Sequence, residues 1–212
     1  MRNLVNINIF KYMNIIDRLM LDNEQYKEQF KKNKLFKIKL DSTLRKNKFL
    51  KHFRLWSDAF QKMVLARVVF SETKEFQQLA WEHLTDEFGH NIELFQNLEN
   101  NEETTDSIFE ALGSWFTLKM MTLGDSERAV LVHLVIESCA TIFYAKLGSI
   151  FFNHKAAKHF KTHMYLDPEH EQMGIALLKQ ININDASLLT IQKKGWDMID
   201  ALFTRLAEIT QD

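Results

Sequence analysis

Three segments of the chain carry histidine and carboxylate side chains at the spacing of one helical turn. They contain His83, Glu87 and His90, then His133 and Glu137, and finally His163, Asp167 and His170. Residues three, four or seven positions apart lie on one face of an α-helix, so each segment points its side chains in one direction. Imidazole and carboxylate groups together suit first-row divalent metals, iron and manganese above all. The segments therefore predict a metal site in the interior of a helical bundle.

The charges of these side chains favour a site for two metal ions. The three carboxylates are nearly balanced by two ferrous ions, so a buried site of this kind would be close to neutral. The predicted ligands are Glu87, His90, Glu137, His163, Asp167 and His170. His83 and His133 lie on the same helix faces, where we expect them to hydrogen-bond ligating carboxylates. Two Fe²⁺ ions are the expected cofactor, and manganese is the alternative.

Each segment taken alone also has an ordinary interpretation. A single Glu-x-x-His spacing is most often a pair on a helix surface, and the third segment alone could be a solvated polar face. Glu137 lies in the apolar run VLVHLVIESCATIFY, where a carboxylate is expensive to bury unless it is paired or bound to a cation. His133, one turn away, is the alternative partner for it. The remaining histidines, His52, His154 and His159, are expected at the surface.

The composition favours helices as the elements that position these side chains. The 212 residues are 46% hydrophobic and 26% charged, with one Pro and six Gly, so the residues that make tight β-turns are scarce. We predict an all-α fold, a bundle of about seven helices in a single domain over residues 1–212. The metal-binding core is expected at about residues 80–175, and one helix is expected to run through residues 72–99.

The charge balance and the cysteine content narrow the classes of partner and compartment. Lys and Arg number 27 and Asp and Glu 28, so no basic excess exists to neutralise nucleic-acid phosphates. The single Cys139 excludes an intramolecular disulfide framework and fits a reducing cytoplasm. No run of about 18 apolar residues is evident, so we expect no membrane span. A small-molecule substrate is the expected partner, and exposed apolar helix faces are compatible with a homodimer.

The three segments together resemble the haem-oxygenase-like diiron oxidases and oxygenases. The residues that carry the resemblance are Glu87 and His90 in LTDEFGHNIELF, Glu137 in VIESCATIFY, and His163, Asp167 and His170 in HMYLDPEH. The resemblance implies a bundle like that of haem oxygenase, two irons held by these six side chains, and activation of O₂. It also implies oxidation of a small organic substrate, which in the family is a fatty acid, an amino acid, a guanidine or one of the protein's own side chains.

Two further expectations come from the same resemblance. A carboxylate from the preceding helix joins the site in some members, and Asp58 and Glu72 are the candidates here. For oxidation of the protein's own side chains, the candidates are Tyr12, Tyr26, Tyr144 and Tyr165.

Pro168 is a departure from the family pattern. A proline inside a helix removes a backbone hydrogen bond and costs about 3 kcal/mol. Asp167 followed by Pro168 also looks like a helix N-cap with proline at the first helical position. We therefore predict a helix break at Asp167 and one labile iron site.

Two other functions stay open at the level of the sequence. The first is a metal-free enzyme on the same fold, similar to thiaminase-type hydrolases or to a quinone-cofactor synthase, in which Cys139 would act as the nucleophile. The second is an interaction protein without turnover. A ferritin-like bundle has two Glu-x-x-His pairs and further lone Glu residues. It fits less well, because Asp167 and His170 would have to form the second pair, no fourth carboxylate is evident and His163 is left over.

Overall fold

The computed structural model describes residues 13–96, 104–181 and 183–211, and every regular element in these ranges is a helix. Seven of the helices have 14 residues or more, which confirms the predicted all-α bundle of about seven helices. The helices are α1 (Ile15–Phe30), α2 (Thr43–Phe70), α3 (Lys74–Glu87), the short α4 (His90–Gln96), α5 (Ser107–Thr122), α6 (Asp125–Phe151), α7 (Ala157–Ile181) and α8 (Ser187–Gln211). A 3₁₀ turn, Lys34–Lys37, joins α1 to α2.

Helix α6 forms the centre of the bundle. Its residues 128–139 are all buried, and α1, α3, α7 and α8 pack around it. The helix is long and apolar enough to cross a membrane, so the expectation that no such run exists is wrong. Its most apolar window is 78% buried inside the protein, as in the core helix of a globular bundle. Burial on all sides removes the alternation of polar and apolar residues that an exposed helix shows.

The middle of α6 is a π-helix, Val130–Glu137. Its hydrogen bonds run from residue i to i+5, so each turn is wider than an α-helical turn, and such segments occur often at functional sites. His133 and Glu137 lie in this segment and contact different partners. In an α-helix, His133 and Glu137 would lie one above the other on the same face. The wider π-helical turn changes the directions of the two side chains relative to each other.

The helix that the sequence predicts over residues 72–99 is interrupted. α3 ends at Glu87, and Gly89 adopts the left-handed conformation with φ of 88°. The Gly89 N–H donates a hydrogen bond to the Gln61 side chain at 2.8 Å. Only glycine adopts this conformation without steric cost, and it turns the chain so that His90 starts a new helix.

The predicted helix break at Asp167 is wrong. α7 continues through Pro168 to Ile181 without interruption. Buried side chains on both sides of the proline, among them His163 and His170, fix the helix against its neighbours. Packing of this face outweighs the backbone hydrogen bond that proline removes.

Candidate metal centre

Helices α3, α6 and α7 bring the predicted acidic residues together in the interior. Glu87 ends α3, Glu137 ends the π-helical segment of α6, and Asp167 lies in the middle of α7. The three residues are at most 2% exposed. Burial of three carboxylates at one place is expensive unless cations or hydrogen-bond donors compensate the charge.

A first group of four residues offers metal-ligand atoms that all lie within 4.8 Å of one another. Its members are His83, Glu87, Glu137 and His170, and all four are buried. His83 Nε2 lies 3.0 Å from Glu137 Oε1, and His170 Nδ1 lies 3.4 Å from Glu137 Oε2. His170 Nδ1 is also 3.3 Å from Glu87 Oε1, but the two atoms are not oriented to form a hydrogen bond.

A second group meets the same distance criterion and consists of Glu87, His90 and His163. His90 Nδ1 lies 3.1 Å from Glu87 Oε2, so the two oxygens of Glu87 face different groups. His90 is half-buried, whereas the other two residues are buried. Glu87 therefore belongs to both groups and joins them.

Asp167 is the one predicted ligand that lies outside both groups. Its Oδ1 is 2.9 Å from His163 Nδ1, and its Oδ2 is buried without a hydrogen-bond partner. A carboxylate on one ring nitrogen of a histidine holds the ring in place and leaves the other nitrogen for a metal. In this geometry Asp167 orients His163, and its role as a ligand stays a prediction.

The two histidines that were expected to hydrogen-bond the carboxylates make different contacts. His83 Nε2 lies 3.0 Å from Glu137 Oε1, the hydrogen bond to a carboxylate that the sequence predicts, and His83 is also a member of the first group and so a further candidate ligand. His133 donates from Nδ1 to the carbonyl oxygen of His170 at 2.7 Å and makes no bond to Glu137. Glu137 pairs with His83 instead, so the alternative His133–Glu137 pair is not formed.

Close packing of two helices permits the contact that His133 makes. A Cβ atom added at Gly174 on α7 would lie 2.3 Å from the Cβ of His133. Real side chains do not approach so closely, so only glycine at this position lets the imidazole reach the backbone of α7.

The cluster leaves several buried polar atoms without hydrogen-bond partners. They are Glu87 Oε1, Asp167 Oδ2, His83 Nδ1, His133 Nε2 and His170 Nδ1. An unpartnered buried polar atom destabilises a fold by about 1–3 kcal/mol, and more when it is charged. A cation bound between the carboxylates and imidazoles would satisfy Glu87 and His170 directly, and their oxygen and nitrogen donors suit iron or manganese. The cluster can therefore hold a metal ion.

The carboxylates of the cluster favour the protonated form of two imidazoles, His170 and His163. Burial lowers the pKa of His170, but Glu137 and Glu87 outweigh it and raise the value to about 11. Burial likewise opposes the charge on His163, but Asp167 raises its pKa to about 9. Burial raises the pKa of Asp167 to about 7, against the lowering effect of His163. Burial also disfavours ionised Glu87, yet the imidazoles of His170 and His90 hold its pKa well below the usual range.

No protein-family model matches the chain. It is 89% identical over 198 residues to the uncharacterized protein RP592 of Rickettsia prowazekii (strain Madrid E), across 93% of this chain and 97% of that protein. The chain belongs to the RP592 family.

Neither candidate for an additional carboxylate ligand lies in the two groups. Asp58 accepts a hydrogen bond from Asn91 at 2.9 Å and lies 3.7 Å from Arg54. Glu72 is exposed, and its backbone N–H bonds to Asp125 at 3.1 Å.

Two residues that support the cluster, Asp86 and His159, were not predicted from the sequence. His170 Nε2 lies 3.3 Å from the Asp86 carboxylate, which directs Nδ1 of the same ring toward the first group. His159 was expected at the surface but is 2% exposed, and its Nε2 bonds to the Tyr144 hydroxyl at 3.0 Å. The signal for His159 was its position four residues before His163, which places both on one face of α7.

Of the four tyrosines considered for self-oxidation, Tyr144 lies at the cluster. Its ring stacks on His163 with a centroid separation of 4.7 Å. Burial and the nearby Asp167 raise the pKa of its hydroxyl well above the usual value. Tyr165 is 78% exposed, Tyr26 packs on Trp196, and Tyr12 lies outside the described residues.

A narrow cavity of about 40 Å³ opens beside the cluster. Glu87, His90, Glu137 and His163 line one wall, and aromatic side chains line much of the rest. An apolar cavity with a few convergent polar groups is the usual form of a small-molecule site. Members of both metal-ligand groups therefore face a narrow and largely apolar space.

Proposed function

We propose that the chain is a non-haem diiron oxidase or oxygenase that activates O₂ to oxidise a small organic substrate. The observation that carries the proposal is the position of Glu87, which belongs to two adjacent groups of buried metal-ligand atoms. One carboxylate that serves two cations is how a protein holds two metal ions a short distance apart. Residues of both groups line the narrow cavity, which supports a role for it in admitting small molecules to the site.

The donor set supports iron, with manganese as the alternative. Each group combines carboxylate oxygen with imidazole nitrogen and contains no thiolate, which suits Fe²⁺ or Mn²⁺. His83, Glu137 and His170 would hold one ion, His90 and His163 the other, and Glu87 both. When bound, ferrous iron supplies the electrons that reduce O₂. This chemistry is compatible with a reducing cytoplasm, which the single buried free thiol also fits.

The chain's own residues would prepare the site for that chemistry. Asp86 and Asp167 hold the imidazoles of His170 and His163 in fixed orientations. The imidazoles carry protons in the metal-free state and release them when a cation replaces them. The aromatic wall of the cavity keeps water away from the reacting centre, which protects reactive species and strengthens local electrostatics.

The burial of Cys139 argues against the metal-free alternative. Burial, together with the nearby Asp167 carboxylate, raises the pKa of its thiol well above the usual value. The thiolate is the nucleophilic form of cysteine, so a thiol held protonated is a poor catalytic nucleophile. The cluster of histidines and carboxylates would also have no task in that mechanism.

Metal content and O₂ uptake of matched variants test the proposal. We expect wild-type protein loaded anaerobically to bind two Fe²⁺ per chain and to consume O₂ when air is admitted. Glu87→Gln removes the shared ligand, so iron content and O₂ uptake should both fall close to zero. Glu137→Gln touches the first group alone and should leave about one iron per chain.

Glu171→Gln is the matched control for these variants. Glu171 is also buried on α7, but it pairs with Lys27 at 3.2 Å and lies outside both groups. It should keep wild-type iron content. The proposal fails if folded wild-type protein binds less than one iron per chain, or if Glu87→Gln consumes O₂ as the wild type does.

A further inference from the structure

Another cavity lies between α1 and α8, and we call it the α1–α8 cavity. Its volume is about 190 Å³. A cavity of about 150 Å³ in a protein is large enough to hold benzene, so this one has room for a small organic molecule. Its lining consists of Tyr26, Gln29, Phe30, Trp196, Asp197 and Asp200. None of these six residues belongs to either group of candidate metal ligands.

Three neighbouring aromatic rings line the α1–α8 cavity. The Tyr26 and Trp196 rings stack with their centroids 6.1 Å apart, and the Phe30 ring centroid lies 5.9 Å from that of Trp196. The Trp196 indole N–H donates to Asn23 Oδ1 at 2.9 Å, which fixes the indole between the helices. Phe30 and Trp196 are buried and Tyr26 is half-buried, so Tyr26 is the ring most open to a ligand. The faces of tyrosine and tryptophan rings attract cations.

Two carboxylates line the same cavity. Asp197 pairs with Lys193 at 2.6 Å, and both of these side chains are largely exposed. An exposed ion pair of this kind contributes little, so a bound cation can compete with it. Asp200 accepts a hydrogen bond from Asn33 at 2.7 Å and forms no ion pair with a lysine or arginine in the part of the chain that the structure describes. The cavity therefore holds a negative charge that no cationic side chain balances.

We propose that the α1–α8 cavity binds a small organic cation of the alkylammonium class. The wall joins aromatic rings to carboxylates and contains no lysine or arginine, which is the combination that favours a cation with an apolar body. The apolar groups of the ligand would lie against the rings, and its charge would lie toward Asp200. A neutral molecule of the same shape would gain only the contacts with the rings, and an anion would be repelled by the carboxylates.

Choline and its neutral carbon analogue 3,3-dimethylbutanol test the proposal, because they differ in charge but hardly in shape. Each is titrated into the full-length protein at constant ionic strength, and NMR follows the indole N–H of Trp196, assigned with the variant Trp196→Phe. We expect choline to shift this signal saturably at millimolar concentration and to bind about fivefold to tenfold more tightly than the analogue. The indole signal of the exposed Trp81, which lies outside the cavity, should stay in place.

The variant Asp200→Asn removes the charge and keeps the size of the side chain. It also keeps an oxygen that can accept the hydrogen bond from Asn33, so the fold should be preserved. Choline affinity should fall about fivefold, whereas affinity for the neutral analogue should not change. Asp41→Asn is the matched control, since Asp41 pairs with Arg45 at 2.8 Å and lies outside the cavity. It should bind choline as the wild type does.

A second pair of variants tests the rings. Tyr26→Leu should weaken choline binding because it removes the most accessible ring, whereas Tyr165→Leu removes an exposed ring outside the cavity and should have no effect.

The proposal is overturned if choline binds no more tightly than the neutral analogue, or if sodium ions at the same concentration shift the Trp196 signal equally. It is also overturned if Asp200→Asn or Tyr26→Leu binds choline as its control does. These measurements need neither iron nor O₂, so their outcome is independent of the proposed oxidase.

Discussion

Addition of divalent metal to the metal-free protein is expected to release protons, because cations replace protons on the imidazoles of the cluster. With pKa values of about 11 and about 9, His170 and His163 both carry a proton at pH 7. Asp167, with a pKa of about 7, carries about half a proton. These three groups release about 2.5 protons per chain when both metal positions fill at pH 7.

The same three pKa values determine how the number of released protons changes with pH. It rises to about 2.9 at pH 6, where Asp167 is mostly protonated, and falls to about 1.5 at pH 9, where His163 is half deprotonated. Because binding releases protons, metal affinity increases with pH. The overall binding constant for two ions should fall roughly 500-fold between pH 7 and pH 6, tenfold for each proton released.

Calorimetric titration with Mn²⁺ in two buffers of different ionisation enthalpy measures the proton count directly. The variant His163→Gln should reduce the count by at least one. His52→Gln serves as its control, because His52 is half-buried and bonds to the backbone of Lys48, away from the cluster. Release of fewer than one proton per chain at pH 7 by fully loaded wild type would refute the protonated cluster.

Three further predictions concern packing, backbone conformation and site strength. Gly174→Ala should lower the free energy of unfolding by about 1–3 kcal/mol in urea denaturation, because the new Cβ collides with His133. Gly124→Ala is the control and should have a smaller effect, because its new Cβ meets no atom closer than 3.7 Å. Equal effects of the two variants would contradict the packing argument. Gly89→Ala should lower the free energy of unfolding by about 1–2 kcal/mol, because a φ of 88° strains any residue other than glycine. The strain lies next to His90, so one metal position should also bind more weakly. Unchanged Mn²⁺ stoichiometry and affinity would be inconsistent with this prediction. Competition with a chelator should show two unequal positions, the weaker being that of His90; two equally tight positions would speak against it.

Sequence periodicity correctly predicted which side chains share a face where the site lies on a regular α-helix. Within α7, the spacing of His163, Asp167 and His170 places all three on one buried face, as predicted. Glu137 pairs with His83 from another helix, one of the two histidines predicted to hydrogen-bond a carboxylate, and not with His133 on its own helix. A contact between helices depends on their packing, which spacing along one helix does not determine.

The misplaced features are those where tertiary packing overrides local preference. Pro168 is tolerated because the helix around it is held on both sides, which no local rule can reveal. A glycine can adopt many backbone conformations, so the presence of Gly89 in the sequence does not predict the left-handed conformation that ends the helix there. No particular amino-acid composition distinguishes the π-helical segment that ends at Glu137 from an α-helix. We attribute it to the packing of α6 against its neighbours.

The half-buried position of His90 has a kinetic consequence. Within the two ligand groups it is the one residue with an accessible side chain, and it begins the short helix α4. Glu137, by contrast, lies on the most protected helix, whose amides are expected to exchange with solvent only when the whole protein opens. Ions are therefore expected to enter and leave past α4, at a rate set by fraying of that helix and far faster than global unfolding.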